Sequence, residues 1–218
     1  MNRYDRSRRA LAFAIAGLAG FVDATGFMAA DGYYVSFMSG NTTRLGVDLV
    51  TAPIRALTPA ALILGFVAGV TLGAILADMA GHRRKSVVAL TSAVLLLGAA
   101  LCRDAGYARA FLACLVLAMG VSNNSFRQGG EVTVAVTYMT GALVRVGQGL
   151  AARLKDGAPE GWLANGGLWL SLFIGAVCGA GTFAALPSWS SWIAVILASL
   201  VALMAMVIER RAPDVQSS

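Results

Sequence analysis

The side chain best placed to do chemistry is Asp23, a carboxylate set within the apolar run Ala10–Ala30. An acidic group in hydrocarbon is costly, and where one persists it commonly serves a proton, a solute or an ion pair. Burial favours its protonated form, which suits a proton carrier. The alternative is an ion pair with Arg44 that holds the following segment in place. Further on, Met38-Ser39-Gly40-Asn41-Thr42-Thr43-Arg44 gathers hydroxyls, an amide and a cation around one glycine. The pattern then recurs. Gly120-Val121-Ser122-Asn123 answers Gly20-Phe21-Val22-Asp23, and Met139-Thr140-Gly141-Ala142-Leu143-Val144-Arg145 answers the second stretch in register. Asn123 keeps the hydrogen bonding of Asp23 and drops its charge, so only one copy can carry a proton there.

A polar, glycine-containing segment repeated inside an apolar chain is how many secondary transporters build a solute site. Ser39 and Thr140 read as N-caps of short helices. A helix N-terminus carries partial positive charge and unpaired N–H groups, and two converging on a dry centre suit an anion or a carboxylate. Gly40 and Gly141 let backbone approach the solute. Ser39, Asn41, Thr42, Thr43 and Thr140 add side-chain partners, with Arg44 and Arg145 four or five residues further along as attractors of an anion. The competing reading is that these polar groups only satisfy a broken backbone, and that each arginine bonds a neighbouring carboxylate or carbonyl. Asp48, Arg127 and Glu131 read as gate or loop residues, and Asp31 as an exposed turn residue.

Other chemistries find little support. Cys102, Cys114 and Cys178 have no metal-ligand spacing, and the one histidine, His82, adjoins Arg83-Arg84-Lys85 in a loop. No metal and no cofactor are expected. No nucleophile elbow or phosphate loop is present, and Ser39 has no histidine to act as its base, so an enzyme is not expected.

The elements that position these residues follow from composition. The chain has 218 residues, 58% hydrophobic and 13% charged, with mean hydropathy +0.73. That leaves too little charge to cover a soluble domain. The net charge of +6 sits in short clusters between apolar runs, as in cytoplasmic loops, so no nucleic-acid partner is expected. The N-terminal Arg3, Arg6, Arg8 and Arg9 before an apolar run mimic a signal peptide, but the repeated motif begins inside that run, which reads as a retained helix.

Six windows have the length of a bilayer crossing: Ala10–Ala30, Pro59–Ala80, Ser86–Cys102, Ala110–Phe126, Leu163–Ala185 and Trp192–Ile208. Tyr33–Val50 and Val132–Leu154 are less apolar. Each begins like a strand, meets Ser-Gly or Thr-Gly, and continues as a half-helix. Such breaks are tolerated at membrane depth only inside the bundle. The expected fold is an all-α integral membrane protein of six transmembrane helices plus two broken strand/half-helix segments. Its halves, 1–104 and 105–218, form an internal repeat that we expect to be inverted, within one membrane domain.

Topology turns on whether the two broken segments dip and return. If they do, both termini, His82–Lys85, Arg127 and Arg153–Lys155 share the cytoplasmic side, and Arg55, Arg103 and Arg109 face the other. If both cross, Arg83-Arg84-Lys85 moves outside. Gly65, Gly69 and Gly73, and likewise Gly175 and Gly179, fall at every fourth position. Such faces let helices approach closely, either inside the chain or in a homodimer. Trp189 and Trp192 read as interfacial anchors.

Ala19-Gly20-Phe21-Val22-Asp23-Ala24, Phe37-Met38-Ser39-Gly40-Asn41-Thr42, Leu64-Gly65-Phe66-Val67-Ala68-Gly69 and Met139-Thr140-Gly141 with Arg145 resemble the motifs of the YoaK family of bacterial multi-pass membrane proteins. The resemblance covers nearly the whole chain and implies a bacterial inner-membrane protein with no assigned substrate. One departure is Gly120-Val121-Ser122-Asn123, where that family tends to have Gly-(Leu/Met)-Gln-Asn; if that glutamine contacts a solute, selectivity differs here. A weaker, architectural likeness is to the sulfate- and uracil-permease fold, whose strand-then-half-helix segments meet at the midplane. The expectation is a secondary transporter or facilitator of a small, anionic solute, embedded in the lipid bilayer, with its site between the two breaks. A passive channel and a non-transporting scaffold or accessory subunit are the alternatives.

Overall fold

The computed structural model describes residues 6–125, 127–128, 131–132, 139–155 and 161–211. Eight α-helices account for most of them: α1 (Arg6–Ala29), α2 (Met38–Thr51), α3 (Leu57–Ala80), α4 (Arg84–Asp104), α5 (Ala108–Ser122), α6 (Met139–Arg153), α7 (Trp162–Ala185) and α8 (Ser190–Arg211). The six apolar windows of the sequence correspond to α1, α3, α4, α5, α7 and α8. Among the described residues, four stretches are long and apolar enough to cross a membrane: Arg6–Ala29, Leu57–Asp104, Trp162–Ala185 and Ser190–Arg211. The second holds both α3 and α4. α5 is shorter, at 15 residues.

The long helices run in two opposed sets. α1 and α7 are parallel: Gly167 lies against Phe13, Gly175 against Gly17, and Gly179 against Phe21. α3 and α5 are parallel in the same manner, with Gly65 on Val116, Gly69 on Leu117 and Gly73 on Val121. α8 runs against α4, since Arg103 bonds Ser190 and Ser191 at one end while Glu209 takes the Lys85 and Ser86 amides at the other. α4 runs against α5, with Gly98 beside Cys114 and Ser92 bonded to Ser122. Arg6 lies near Val207 and Ile208, so α1 also runs against α8. The start of the described chain, Arg83 and Arg210 therefore share one end of the bundle.

Two close crossings hold this arrangement. A methyl group on Gly20 would collide with the Leu172 carbonyl of α7, and one on Gly175 with the Gly17 carbonyl of α1. At the second crossing a methyl on Gly120 would lie 2.5 Å from the Phe66 carbonyl of α3, and one on Gly69 2.5 Å from the Leu117 carbonyl of α5. Only glycine permits backbones this near, and the gain is dense van der Waals contact where lipid gives no hydrophobic drive. The glycine faces are thus occupied inside the chain. Around them lies the main core, with Leu11, Phe21, Val22, Leu96, Phe111 and Met119 among its buried side chains.

α2 and α6 are the half-length elements, at 14 and 15 residues. α2 packs on α3 and α6 on α7, and the two do not pack on each other. Beyond α1 the chain turns through Asp31 (φ 50°) and Gly32 (φ 83°), with Gly32 N–H returned to the Phe27 carbonyl at 3.0 Å. This left-handed turn is the helix stop that glycine makes inexpensive. Tyr33–Phe37 form no strand: Val35 and Ser36 lie in a bend, the Tyr33 N–H returns to the Ala30 carbonyl at 3.1 Å, and the amides of Tyr34, Val35 and Ser36 go to side chains, which corrects the expected strand entry. Val132 belongs to a two-residue hairpin in which Arg127 pairs with Val132 and Gln128 with Glu131; residues 133–138 lie outside the described residues.

Candidate functional site

Asp23 sits six residues before the end of α1, about 9 Å along the helix from it. Its Oδ1 accepts the N–H of Val35 and the N–H of Ser36, each at 2.9 Å. The chain leaving α1 has therefore doubled back, and Val35 and Ser36 lie against the interior of α1 just before α2 begins. Val35 is fully buried and its methyls fill the space over Gly26. The expected choice for Asp23 lay between a proton carrier and an ion pair with Arg44. The structure corrects the second option: the carboxylate does pin the segment that follows α1, but through two backbone amides. Arg44 lies instead beside Gly32 and over the Tyr33 ring, 5.1 Å from its centroid. The Tyr33 hydroxyl in turn donates to Asp48 Oδ2 at 2.8 Å. Asp31 is exposed in its turn, as expected.

The start of α2 departs from the capping expectation. Its N-cap is Phe37, without a side-chain cap. Ser39 is the second helical residue and is exposed. Thr140 likewise falls inside the first turn of α6, so neither residue is an N-cap. What shapes the tip is Asn41, fully buried. Its Oδ1 accepts the Tyr34 N–H at 2.9 Å and its Nδ2 donates to the Tyr34 carbonyl at 2.7 Å. The side-chain amide pairs with Tyr34 as a neighbouring strand would, and this supplies the partners a strand edge lacks. Gly40 sits under the Phe37 and Tyr34 rings, where a methyl would be crowded. The hydroxyls of Thr42 and Thr43 turn back to the carbonyls of Met38 and Ser39.

In the second half, Gly141 and the exposed Thr140 begin α6, and Arg145 is exposed further along it. Asn123 is buried just beyond α5, donating to the Met119 carbonyl at 2.9 Å. The next residue, Asn124, reaches across to the Val70 carbonyl of α3 at 3.0 Å. Ser122, where the resembled family tends to have glutamine, is buried against Ser92 of α4 at 2.9 Å. That position faces a helix interface, so its identity bears on packing.

The structure therefore joins Asp23, Asn41 and the segment Tyr34–Ser36 into one unit. It keeps Ser39, Gly40, Asn41 and Thr42 on α2 apart from Thr140 and Gly141 on α6, with no packing between the two helices. Tyr34 and the Val35 and Ser36 amides were not expected from sequence, because backbone groups leave no mark in residue type. Among the described residues no cluster of His, Cys, Asp and Glu can hold a metal ion.

A family model described as "Protein of unknown function (DUF1275)" matches residues 11–204. A UPF0700 transmembrane protein of Rhizobium meliloti (strain 1021) is 35% identical over 202 residues, covering 93% of this chain and 88% of that protein. No solved structure matches.

Proposed function

This chain belongs to the DUF1275 family of unknown function, with a transmembrane relative, and for it we propose a secondary transporter or facilitator of a small anionic solute in the bacterial cytoplasmic membrane. The YoaK resemblance points to the same membrane. The observation that carries the proposal is the correspondence between the two glycine crossings. Gly20 meets Leu172 and Ala176 of α7, and Gly120 meets Phe66 and Val70 of α3. Gly179 meets Phe21, and Gly73 meets Val121. Exchanging the halves, α1 for α5 and α7 for α3, maps one crossing onto the other and reverses every helix direction. α2 on α3 becomes α6 on α7. This supports six crossings arranged as an inverted repeat, the design from which many carriers derive alternating access.

Under this reading α2 and α6 enter from opposite faces. The solute occupies the gap between their first turns, lined by Ser39, Gly40, Asn41 and Thr42 on one side and Thr140 and Gly141 on the other. α2 and α6 do not pack together, so the gap between them changes as the halves slide along the α1–α7 and α3–α5 seams. Asp23 gates the first tip: a carboxylate accepts two amides well, and its protonation weakens that grip and frees the segment to move. Both termini lie on the cytoplasmic side with Arg83, Arg84 and Lys85, in keeping with the positive-inside rule.

The test is flux in proteoliposomes with a panel of small carboxylates and inorganic anions. Saturable uptake with counterflow of at least one anion is expected, and Asp23→Asn is expected to remove the response to a pH gradient. Linear, non-saturating flux would replace the carrier with a channel. Absence of flux for the whole panel, together with co-purification of one partner protein, would replace it with a scaffold.

A further inference from the structure

At the arginine-bearing end of the bundle, a cavity of about 370 Å³ lies between the start of α4 and the end of α8. Its rim carries His82, Arg83 and Arg210, all exposed. Further along the two helices its walls are Val87, Met206 and the exposed Leu90. One acidic group is present, Glu209, but it is already engaged: its carboxylate accepts the Lys85 N–H at 2.7 Å and the Ser86 N–H at 3.1 Å, and it bonds the Ser86 hydroxyl. Glu209 thus caps the start of α4 from the last turns of α8 and turns its charge into the bundle. The rim is left with two guanidinium groups and an imidazole.

We propose that this slot binds an anionic phospholipid of the adjoining leaflet, its phosphate at Arg83, Arg210 and His82 and an acyl chain on Val87, Leu90 and Met206. Two features select a lipid over a soluble anion. Cationic groups at the rim complement a phosphate, and basic pockets between transmembrane helices are where anionic headgroups dock. The lining also changes from charged to apolar at headgroup depth: Leu90 is about 9 Å along α4 from Arg84, and Met206 about 6 Å along α8 from Arg210. A soluble anion has no use for that lower wall. The site is separate from α2 and α6, so it stands or falls independently of the transport reading.

The full chain in detergent is mixed with equal amounts of phosphatidylglycerol and phosphatidylcholine of identical acyl chains, and bound lipid is read by native mass spectrometry. Retention of phosphatidylglycerol over phosphatidylcholine is expected. Removing both charges with Arg83→Gln and Arg210→Gln should weaken that binding about twenty-five-fold, at about fivefold for each cation near the surface. Leu90→Trp, which fills the lower slot and leaves the charges in place, should also lower retention. Excess inorganic phosphate should fail to displace the lipid. Equal retention of the two lipids, or unchanged retention in the double variant, would overturn the proposal. Displacement by phosphate would overturn it in favour of a soluble-anion site. If the double variant does not fold, the competition between the two lipids on the wild-type chain decides alone.

Discussion

Asn41 and Tyr34 exchange a reciprocal pair of hydrogen bonds, Tyr34 N–H to Asn41 Oδ1 at 2.9 Å and Asn41 Nδ2 to the Tyr34 carbonyl at 2.7 Å. The clasp demands a carboxamide, with one donor and one acceptor side by side. Asn41→Asp keeps the size and loses the donor, leaving the Tyr34 carbonyl facing a carboxylate oxygen. We expect it to be as damaging as Asn41→Ala, each lowering stability by about 1–3 kcal/mol through an orphaned buried polar group. Thermal unfolding in detergent measures this. An Asn41→Asp variant as stable as wild type would show that the clasp contributes nothing.

At Asp23 the same logic separates two roles. Both amides converge on Oδ1, and an asparagine oxygen can accept both but without the charge that strengthens the carboxylate's grip. Asp23→Asn is therefore expected to unfold somewhat below the wild-type temperature, whereas Asp23→Ala strands two donors at about 1–3 kcal/mol each and unfolds lower still. If Asn and Ala destabilise alike, the charge itself is what secures the loop.

The glycine crossings give a paired prediction. Gly20→Ala and Gly120→Ala each drive a methyl into a facing carbonyl, and overpacking of this kind costs about 1–3 kcal/mol. The two should be similar in size, because the crossings correspond. Gly181→Ala on α7 meets nothing within 4 Å and should be silent. A marked stability loss at Gly181, or none at Gly20, would contradict the packing described.

Helix directions place Arg83 at one end of the bundle and Tyr107, exposed in the turn between α4 and α5, at the other. In a background with Cys102, Cys114 and Cys178 replaced, Arg83→Cys should react with a membrane-impermeant maleimide only from the cytoplasmic side, and Tyr107→Cys only from the outside. Labelling of both from one face would refute the assignment of crossings.

The helices were legible because a bilayer-length apolar run is a coarse signal that no local preference overrides. α2 and α6 stood out by the same measure, as stretches where the apolar content falls and Gly40 or Gly141 follows a hydroxyl. The glycine spacing revealed close packing, but which helix lies opposite is a long-range fact: nothing in Gly20 names Leu172. Asp23 was visible as a costly charge, and the guess of Arg44 as its partner failed for a definable reason. Sequence displays side-chain charges, whereas the partners chosen were the Val35 and Ser36 amides. The cap assigned to Ser39 failed because Asn41, from inside the helix, orders the tip of α2, and the cap assigned to Thr140 failed because α6 already begins at Met139. Glu209 escaped notice for the reason that hid the partners of Asp23, since it serves backbone amides of a helix far away in sequence.

The pairing of α1 with α7 has a consequence for biosynthesis. Gly20 emerges from the ribosome long before Leu172, and at about 5–20 residues per second the interval is roughly eight to thirty seconds. During that time the small-residue flank of α1 has only lipid, or a membrane chaperone, against it. The α3–α5 contact needs far less chain and closes first. Insertion should therefore pass through a nascent stage in which one seam is zipped and the other gapes, and final assembly waits for the seventh helix to arrive.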